Sequence, residues 1–313
     1  MSVAEPMPAL LENPIKRYLL ATRPAFLTIT LVAVLLGMAT AHFSAVPWHA
    51  GLALMTVLLA LLTHAAVNVL NDYYDELNGT DSANTERVFP FTGGSRFIQN
   101  GVLSLRQVGL FGVVLLLCVV AGGLWLLAQT GAGLFWIGLA GVVLGWAYSA
   151  PPLKLNSRGW GELTVTVCFA LLVIGADYVQ RGAFSWLAVW AGGSYALLVM
   201  LILFINQFPD YAADKQAGKH HWVVRLGRQR AAGLYGLFAL LSAAWLGVML
   251  LLQHLPAWAG LAFLSLPLSL QAARTLRAQA ENSPALLPAI QQTILAAHVH
   301  GVLLALGLFL GAA

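Results

Sequence analysis

The sequence predicts an all-α membrane protein: a bundle of nine transmembrane helices with two cytoplasmic cap loops. Three observations predict it. Of 313 residues, 59% are hydrophobic and only 9% are charged, where a soluble domain carries about 25% charged residues. So few charges do not coat a globule of this size, and lipid must solvate much of the surface. Charge-poor stretches of spanning length recur along the chain, and the basic residues fall almost entirely between alternate pairs of them. The alternating ten-residue strands of an outer-membrane barrel are absent, which leaves helices to satisfy the backbone in hydrocarbon.

The elements follow in order. Residues 1–22 read as a cytoplasmic lead-in to a single domain covering 1–313, with an interfacial helix from Pro14 to Leu20 and no cleavable signal. Nine spans are placed at about 24–46, 49–75, 106–128, 132–150, 160–180, 183–210, 229–253, 256–276 and 285–311. The fifth has the shortest apolar centre, because Glu162 and Asp177 clip it. Trp48, Trp136, Trp160, Trp186 and Trp258 mark span ends, as interfacial anchors do. Cys118 and Cys168 lie inside apolar runs, without a disulfide framework or metal-ligand spacing.

With nine spans, fifteen of the sixteen Lys and Arg residues fall on one side, and only Arg181 falls on the other. The positive-inside rule makes that side cytoplasmic, with the N-terminus inside and the C-terminus outside a cell inner membrane. The net charge of +4 therefore reports topology, and no nucleic-acid partner is expected. The same side carries the two longest connections, about 76–105 and 211–228. Connections of that length are usually functional or disordered, and these are punctuated by glycines rather than low in complexity.

The second span ends in Asn68, Asp72 and Asp75, and the sixth in Asn206, Asp210 and Asp214. Spacings of three and four put each set on one helix face. Clustered carboxylates at a membrane interface repel one another and lose solvation, so a cation is the expected partner. Mg²⁺ fits, since it takes oxygen ligands from one or two carboxylates and completes its shell with water and phosphate. Arg87, Arg96, Lys154, Arg158, Lys215, Lys219 and Arg225 ring the same face and suit that phosphate. The alternative is a set of helix-end acids paired with neighbouring basic residues and no ligand.

These residues resemble a known family. The run from Asn71 through Asp72, Asp75 and Gly79 to Asp81 resembles the first Asp-rich motif of the UbiA-type intramembrane prenyltransferases, closest to the 1,4-dihydroxy-2-naphthoate polyprenyltransferases. Asp210, Asp214, Gly218 and Lys219, followed by Val224-Arg225-Leu226-Gly227, resemble the second motif, and Arg23-Pro24 matches the start of the first span. Tyr148-Ser149 with Pro152 and Lys154 is similar to the motif after the fourth span. The sequence departs from the subgroup at His220-His221-Trp222, and in reading Pro-Pro-Leu-Lys where an Arg-bearing form is usual.

The resemblance implies a nine-helix bundle around a cavity open to lipid, and Mg²⁺-dependent transfer of an isoprenyl chain from a prenyl diphosphate to an aromatic acceptor. The implied acceptor is 1,4-dihydroxy-2-naphthoate, in menaquinone biosynthesis. The implied metal ligands are Asn68, Asp72, Asp75, Asp81, Asp210 and Asp214. The implied catalytic groups are Asp72, Asp75, Asp210, Asp214, Tyr148 and Lys154. Arg23, Asn68, Arg96, Ser149, Arg158, Asn206 and Lys219 are expected to bind substrate; Arg96 sits where a Gly-rich loop could fold over the diphosphate, with a plain turn and a positive-inside arginine as the equal alternative.

Other polar residues in the spans read as structural. His64 is taken as a satisfied core histidine, Asp177 and Arg181 as a helix pair near the outer surface, and His298 and His300 share no helix face. Two other functions remain open: a family member acting on 4-hydroxybenzoate, homogentisate or another lipid-quinone precursor, and a membrane transporter. A transporter would carry polar groups near the midplane on broken helices, whereas here they gather at one face.

Overall fold

The computed structural model describes residues 4–312; residues 1–3 of the lead-in and the C-terminal Ala313 lie outside the described residues. Near the start of the chain is a short helix, α1 (Pro14–Ala21), capped by Asn13, whose Oδ1 accepts from the Ile15 N–H at 2.9 Å. The bundle then follows as α2 (Pro24–Phe43), α3 (Ala50–Leu77), the single turn α4 (Thr80–Ala83), α5 (Leu105–Thr130), α6 (Gly133–Ser149), α7 (Gly161–Arg181) and α8 (Trp186–Asn206). Two short helices, α9 (Tyr211–Gln216) and α10 (Trp222–Leu226), form the second long connection. The helices α11 (Arg228–Leu251), α12 (Leu266–Gln279) and α13 (Leu287–Gly311) complete the chain, and no strand occurs among the described residues.

Seven of these helices are long and apolar enough to cross a membrane: α2, α3, α5, α7, α8, α11, and α13 with the 3-10 turn before it. All nine predicted stretches are helical, but three differ from the prediction. The fourth, α6, has only 17 residues. The eighth is split into a 3-10 segment, Ala257–Ser265, and α12. Pro267 stands at the start of α12, where its missing N–H withdraws a bond from the turn before it.

The sixth stretch differs in a way that matters for the site. It was expected to run to residue 210, with Asn206, Asp210 and Asp214 on one continuous helix face. Instead α8 stops at Asn206, and Asp210 sits in the turn that leads into α9. Pro209 explains the break, since it lacks an N–H and disfavours α geometry at the residue before it. Asp210 and Asp214 thus share the short helix end of α9, not the face of α8.

The bundle is packed unevenly. The largest buried apolar cluster joins α2, α7, α8, α11, α12 and α13, with Tyr195, Phe204 and Leu304 fully buried. Small residues bring these helices close: a Cβ on Gly37 of α2 would lie 2.2 Å from the Val173 carbonyl of α7. A second cluster, with Val69, Phe97 and Leu103, fastens the loop after α3 to α3 and α5. Between the packed half and α3, α5 and α6 lies a cavity of about 620 Å³. It reaches from Asp75 and Asp214 at one end to Leu127, Leu134 and Val179 at the other. Its walls are mostly apolar, and Val120, Leu124, Phe135 and Leu139, on the facing sides of α5 and α6, are exposed.

Candidate active site

The last two turns of α3 carry the first acidic set. Asn68, Asp72 and Asp75 share a face there, because the helix runs unbroken from Ala50 to Leu77. Asp72 and Asp75 are buried. Asp72 Oδ2 accepts from the Ser95 N–H at 3.1 Å, and its Oδ1 is buried without a partner. Asp75 is held on both oxygens: Oδ2 accepts from Asn71 Nδ2 and Oδ1 from Asn78 Nδ2, each at 3.1 Å. Asn71 also donates to Ser149 Oγ at 3.0 Å, which ties α3 to the end of α6.

The loop after α3 folds back over these acids. Gly94 has φ +73, and a Cβ there would lie 2.2 Å from Asp81 Oδ2 and 3.2 Å from Asp72 Oδ1. Only glycine fits a left-handed position pressed against two carboxylates. Arg96 is buried behind the loop, at φ 66, and its guanidinium donates to the Asp81 carbonyl at 2.5 Å. Arg96 thus braces the loop and does not line the cavity.

The second acidic set reaches the first side of the site through Asn84 and Lys219. Asn84 Nδ2 donates to Asp210 Oδ1 at 2.5 Å. Lys219 Nζ lies 2.9 Å from Asp75 Oδ1 and 2.9 Å from Asp214 Oδ1, so those two oxygens are at most twice that distance apart. His221, itself buried, is 3.0 Å from Asp214 Oδ2 through Nε2. Its Nδ1 faces the Val224 N–H at the start of α10, which leaves Nε2 as the protonated donor.

Burial first, and then the neighbouring charges, shift several of these groups. Burial pushes Asp210 up to about 7, with the nearby Asp214 carboxylate adding to the shift. Burial, reinforced by Asp75 and Asp72, holds Asp81 well above the usual carboxylate range. Burial also acts upward on Asp214, but Lys219 and His221 outweigh it and hold this carboxyl below its usual value. Burial alone would lower Lys219; Asp214 and Asp75 reverse that and raise it well above the usual lysine range.

The expected site residues divide accordingly. Arg23, Asn68, Asp75, Asp81, Tyr148, Asn206, Asp210, Asp214 and Lys219 all line the cavity. Arg23 donates to the Phe91 carbonyl at 3.0 Å and keeps a buried Nε without a partner. Asn206 Nδ2 reaches the same carbonyl at 3.3 Å, and its Oδ1 is bare. Ser149 lies behind the wall as the partner of Asn71. Lys154 and Arg158, expected at the reaction centre, are exposed and outside the cavity. Lys154 adopts φ 45 at the start of a 3-10 turn, and Arg158 folds back to the Pro152 carbonyl at 2.8 Å. The remaining polar residues of the spans have partners, although His64 and His298 also line the cavity. His64 Nδ1 pairs with Thr30 at 2.7 Å, and Asp177 pairs with Arg181 at 2.8 Å. His298 and His300 join separate networks, with Thr28 and with Ser194.

Sequence reasoning missed Asn71, Asn78, Asn84, Ser95 and His221 as partners of the acids. Asn71 and Asn78 stand inside the first motif, three or four residues from Asp75, so helical spacing was a usable signal. Nothing local marks Asn84 or Ser95, which meet the acids only because the loop folds back.

Among the described residues, no three Asp, Glu, His or Cys side chains converge on a ready-made metal centre. The donor set still fits a hard cation that takes one or two carboxylates and phosphate oxygens. Asp72 Oδ1 and Asn206 Oδ1 are bare acceptors, and Lys219 places a positive charge between the two sets.

A model of the UbiA prenyltransferase family matches residues 30–311. A 1,4-dihydroxy-2-naphthoate octaprenyltransferase from Mycobacterium leprae is 29% identical over 92% of this chain and 95% of its own length. A 2-carboxy-1,4-naphthoquinone phytyltransferase from Synechocystis is 30% identical over 83% of this chain and 82% of its own. Among solved structures, a digeranylgeranylglyceryl phosphate synthase superposes with a TM-score of 0.65 at 15% identity, covering 94% of this chain and 98% of that one. A UbiA homologue from Archaeoglobus fulgidus bound to GPP and Mg²⁺ superposes with a TM-score of 0.60 at 16% identity, over 92% and 99% of the two chains.

Proposed function

The chain belongs to the UbiA prenyltransferase family and is a membrane prenyltransferase, and we propose that it transfers an isoprenyl chain from a prenyl diphosphate to 1,4-dihydroxy-2-naphthoate in a Mg²⁺-dependent reaction. The observation that carries this reading is Lys219 Nζ at 2.9 Å from both Asp75 and Asp214, which joins the two acidic sets at the mouth of one apolar cavity.

Asp72, Asp81, Asp210 and Asp214, with Asn68 and Asn206, are the groups that would hold Mg²⁺; Asp75 is more fully committed to Asn71, Asn78 and Lys219. Bound there, Mg²⁺ supplies neutralisation of the charge that builds on the departing diphosphate. Arg23 and Lys219 add cationic donors at the same end of the cavity. The isoprenyl tail lies along the apolar walls toward Leu127 and Leu134. As the allylic carbon–oxygen bond breaks, the diphosphate leaves with the electron pair, and the apolar walls keep water from the allylic cation. The ring carbon that bears the carboxylate then gives an electron pair to the allylic carbon to form the new carbon–carbon bond, and the carboxylate leaves as CO₂, its bonding pair restoring the ring. Of Arg23, Lys154 and Arg158, the three basic residues expected near that carboxylate, Arg23 alone lines the cavity and is placed to receive it before the reaction. The family relatives named for dihydroxynaphthoate and carboxynaphthoquinone substrates support this acceptor class.

In the membrane the lead-in, the two loops and Lys219 face the cytoplasm, and all nine apolar stretches span. The test of the acceptor is direct. Membranes containing the protein, with Mg²⁺ and a prenyl diphosphate, are given the naphthoate, 4-hydroxybenzoate or homogentisate in turn. Turnover of the naphthoate is expected. Turnover of another acid with none of the naphthoate overturns the acceptor and leaves the prenyltransferase standing.

A further inference from the structure

Behind the diphosphate end of the cavity stands a polar pair that the reaction described above does not use. Glu162, in the first turn of α7, and Gln207, just after α8, are both buried. Gln207 Nε2 donates to Glu162 Oε1 at 3.0 Å. An ionised carboxylate only accepts, so it dictates which way the Gln207 amide faces. Gln207 lines the cavity, and its Oε1 has no partner. Glu162 Oε2 is equally bare. Of the two bare oxygens only that of Gln207 belongs to a residue of the cavity wall, and an unpaired acceptor there repels a phosphate or carboxylate and calls for an O–H or N–H group.

We propose that Gln207 Oε1, held in place by Glu162, is the subsite that accepts a hydrogen bond from a phenolic hydroxyl of the aromatic acceptor. The acceptor class rests on the prenyltransferase reading above; the subsite itself is read from the geometry. Gln207 follows Asn206 directly and shares the cavity wall with Tyr148 and Asn156, so an aromatic hydroxyl there sits beside the diphosphate end. Glu162 does not line the cavity and acts through Gln207 as a positioning residue.

The experiment compares the dihydroxynaphthoate with its mono-O-methyl ethers in the full-length enzyme. A site built to bond a hydroxyl discriminates strongly against a substrate that lacks it. For wild type, one ether should lose at least about 100-fold in kcat/KM relative to the parent. In Gln207→Leu, kcat/KM for the parent should fall about 100-fold, the penalty on that ether should shrink below about tenfold, and KM for the prenyl diphosphate should stay within about twofold. Gln207→Asn, which withdraws the oxygen while keeping an amide, should behave alike and covers a failure of the leucine variant to fold. Glu162→Gln should give an intermediate penalty, because an amide no longer dictates the orientation of Gln207. An unchanged ether penalty in either Gln207 variant overturns the subsite alone. A wild-type enzyme that prenylates no hydroxylated aromatic acid overturns the subsite and the reading it rests on.

Discussion

Asn84 donates its side-chain amide to Asp210 Oδ1 at 2.5 Å, although 126 residues of chain separate them. This bond fastens the loop after α3 to the start of α9, and with Lys219 it makes one site of two acidic sets. Asn84→Ala should therefore leave Asp210 free to move away from Asp72. Outer partners of metal ligands typically matter by about 10- to 100-fold in affinity or activity. The expected result is a loss of that size in kcat/KM for the prenyl diphosphate, with the Mg²⁺ requirement rising in parallel.

Asp72 keeps a buried Oδ1 without a partner while Oδ2 accepts from Ser95. Asp72→Asn removes the charge and keeps the shape. Turnover should fall by about 10³-fold or more, as when a charge-stabilising group is lost from a reaction centre. The thermal midpoint without Mg²⁺ should not fall, because one fewer carboxylate relieves repulsion. A variant of near-normal activity would remove Asp72 from the proposed ligands.

Lys219 is the only counter-charge within 4 Å of Asp75 among the described ion pairs, and it serves Asp214 as well. Removing one partner from a buried ion pair typically costs about 3–5 kcal/mol. Lys219→Met should lower the thermal midpoint of the Mg²⁺-free protein accordingly. Mg²⁺ should then raise the midpoint more in the variant than in wild type, since the ion can neutralise the exposed acids. An equal Mg²⁺ shift in both proteins would argue against a cation binding between the two sets.

Asp210, pushed up to about 7 by burial and by Asp214, carries a proton below that pH in the metal-free protein. A ligating carboxylate must lose it, so Mg²⁺ binding releases a proton and strengthens as pH rises through 7. The Mg²⁺ concentration for half-maximal activity should rise by up to about tenfold for each pH unit below 7. For stability the sign is opposite. A carboxyl raised in the folded state adds stability below its unfolded value near 4 and loses it as pH rises through about 7. Titrating Mg²⁺ activation at pH 6, 7 and 8 checks the first, and Asp210→Asn should flatten it.

A reporter that is active only in the cytoplasm, fused after Ala313, should be inactive, and the same reporter on the N-terminus active. The fifteen-to-one distribution of Lys and Arg motivates this orientation. An active C-terminal fusion would remove a span from the nine.

Much of the architecture was legible in the sequence, and for a local reason. Hydropathy adds up residue by residue, so every one of the nine stretches is helical, and fixed helical spacing sets Asn68, Asp72 and Asp75 on one face of α3. Paired motifs marked both acidic sets before any coordinates. The shape of the second set was harder to read. The four-residue spacing of the acids suggests one continuous helix face, but Pro209 interrupts it, and α8 ends at Asn206 before the set is complete.

What belongs to the folded molecule is the pairing of distant groups. Asn84 with Asp210, Lys219 with Asp75, and Gln207 with Glu162 meet because the loops close over α3 and the end of α8. Lys154 and Arg158 carry the expected charge, yet Lys154 stands in a left-handed turn, Arg158 folds back to the Pro152 carbonyl, and both lie outside the cavity. Local sequence biases a residue's backbone and the side of the membrane it occupies. Its partner is chosen by packing among segments tens to hundreds of residues away, and a buried polar atom declares what it needs only after that packing has excluded water from it.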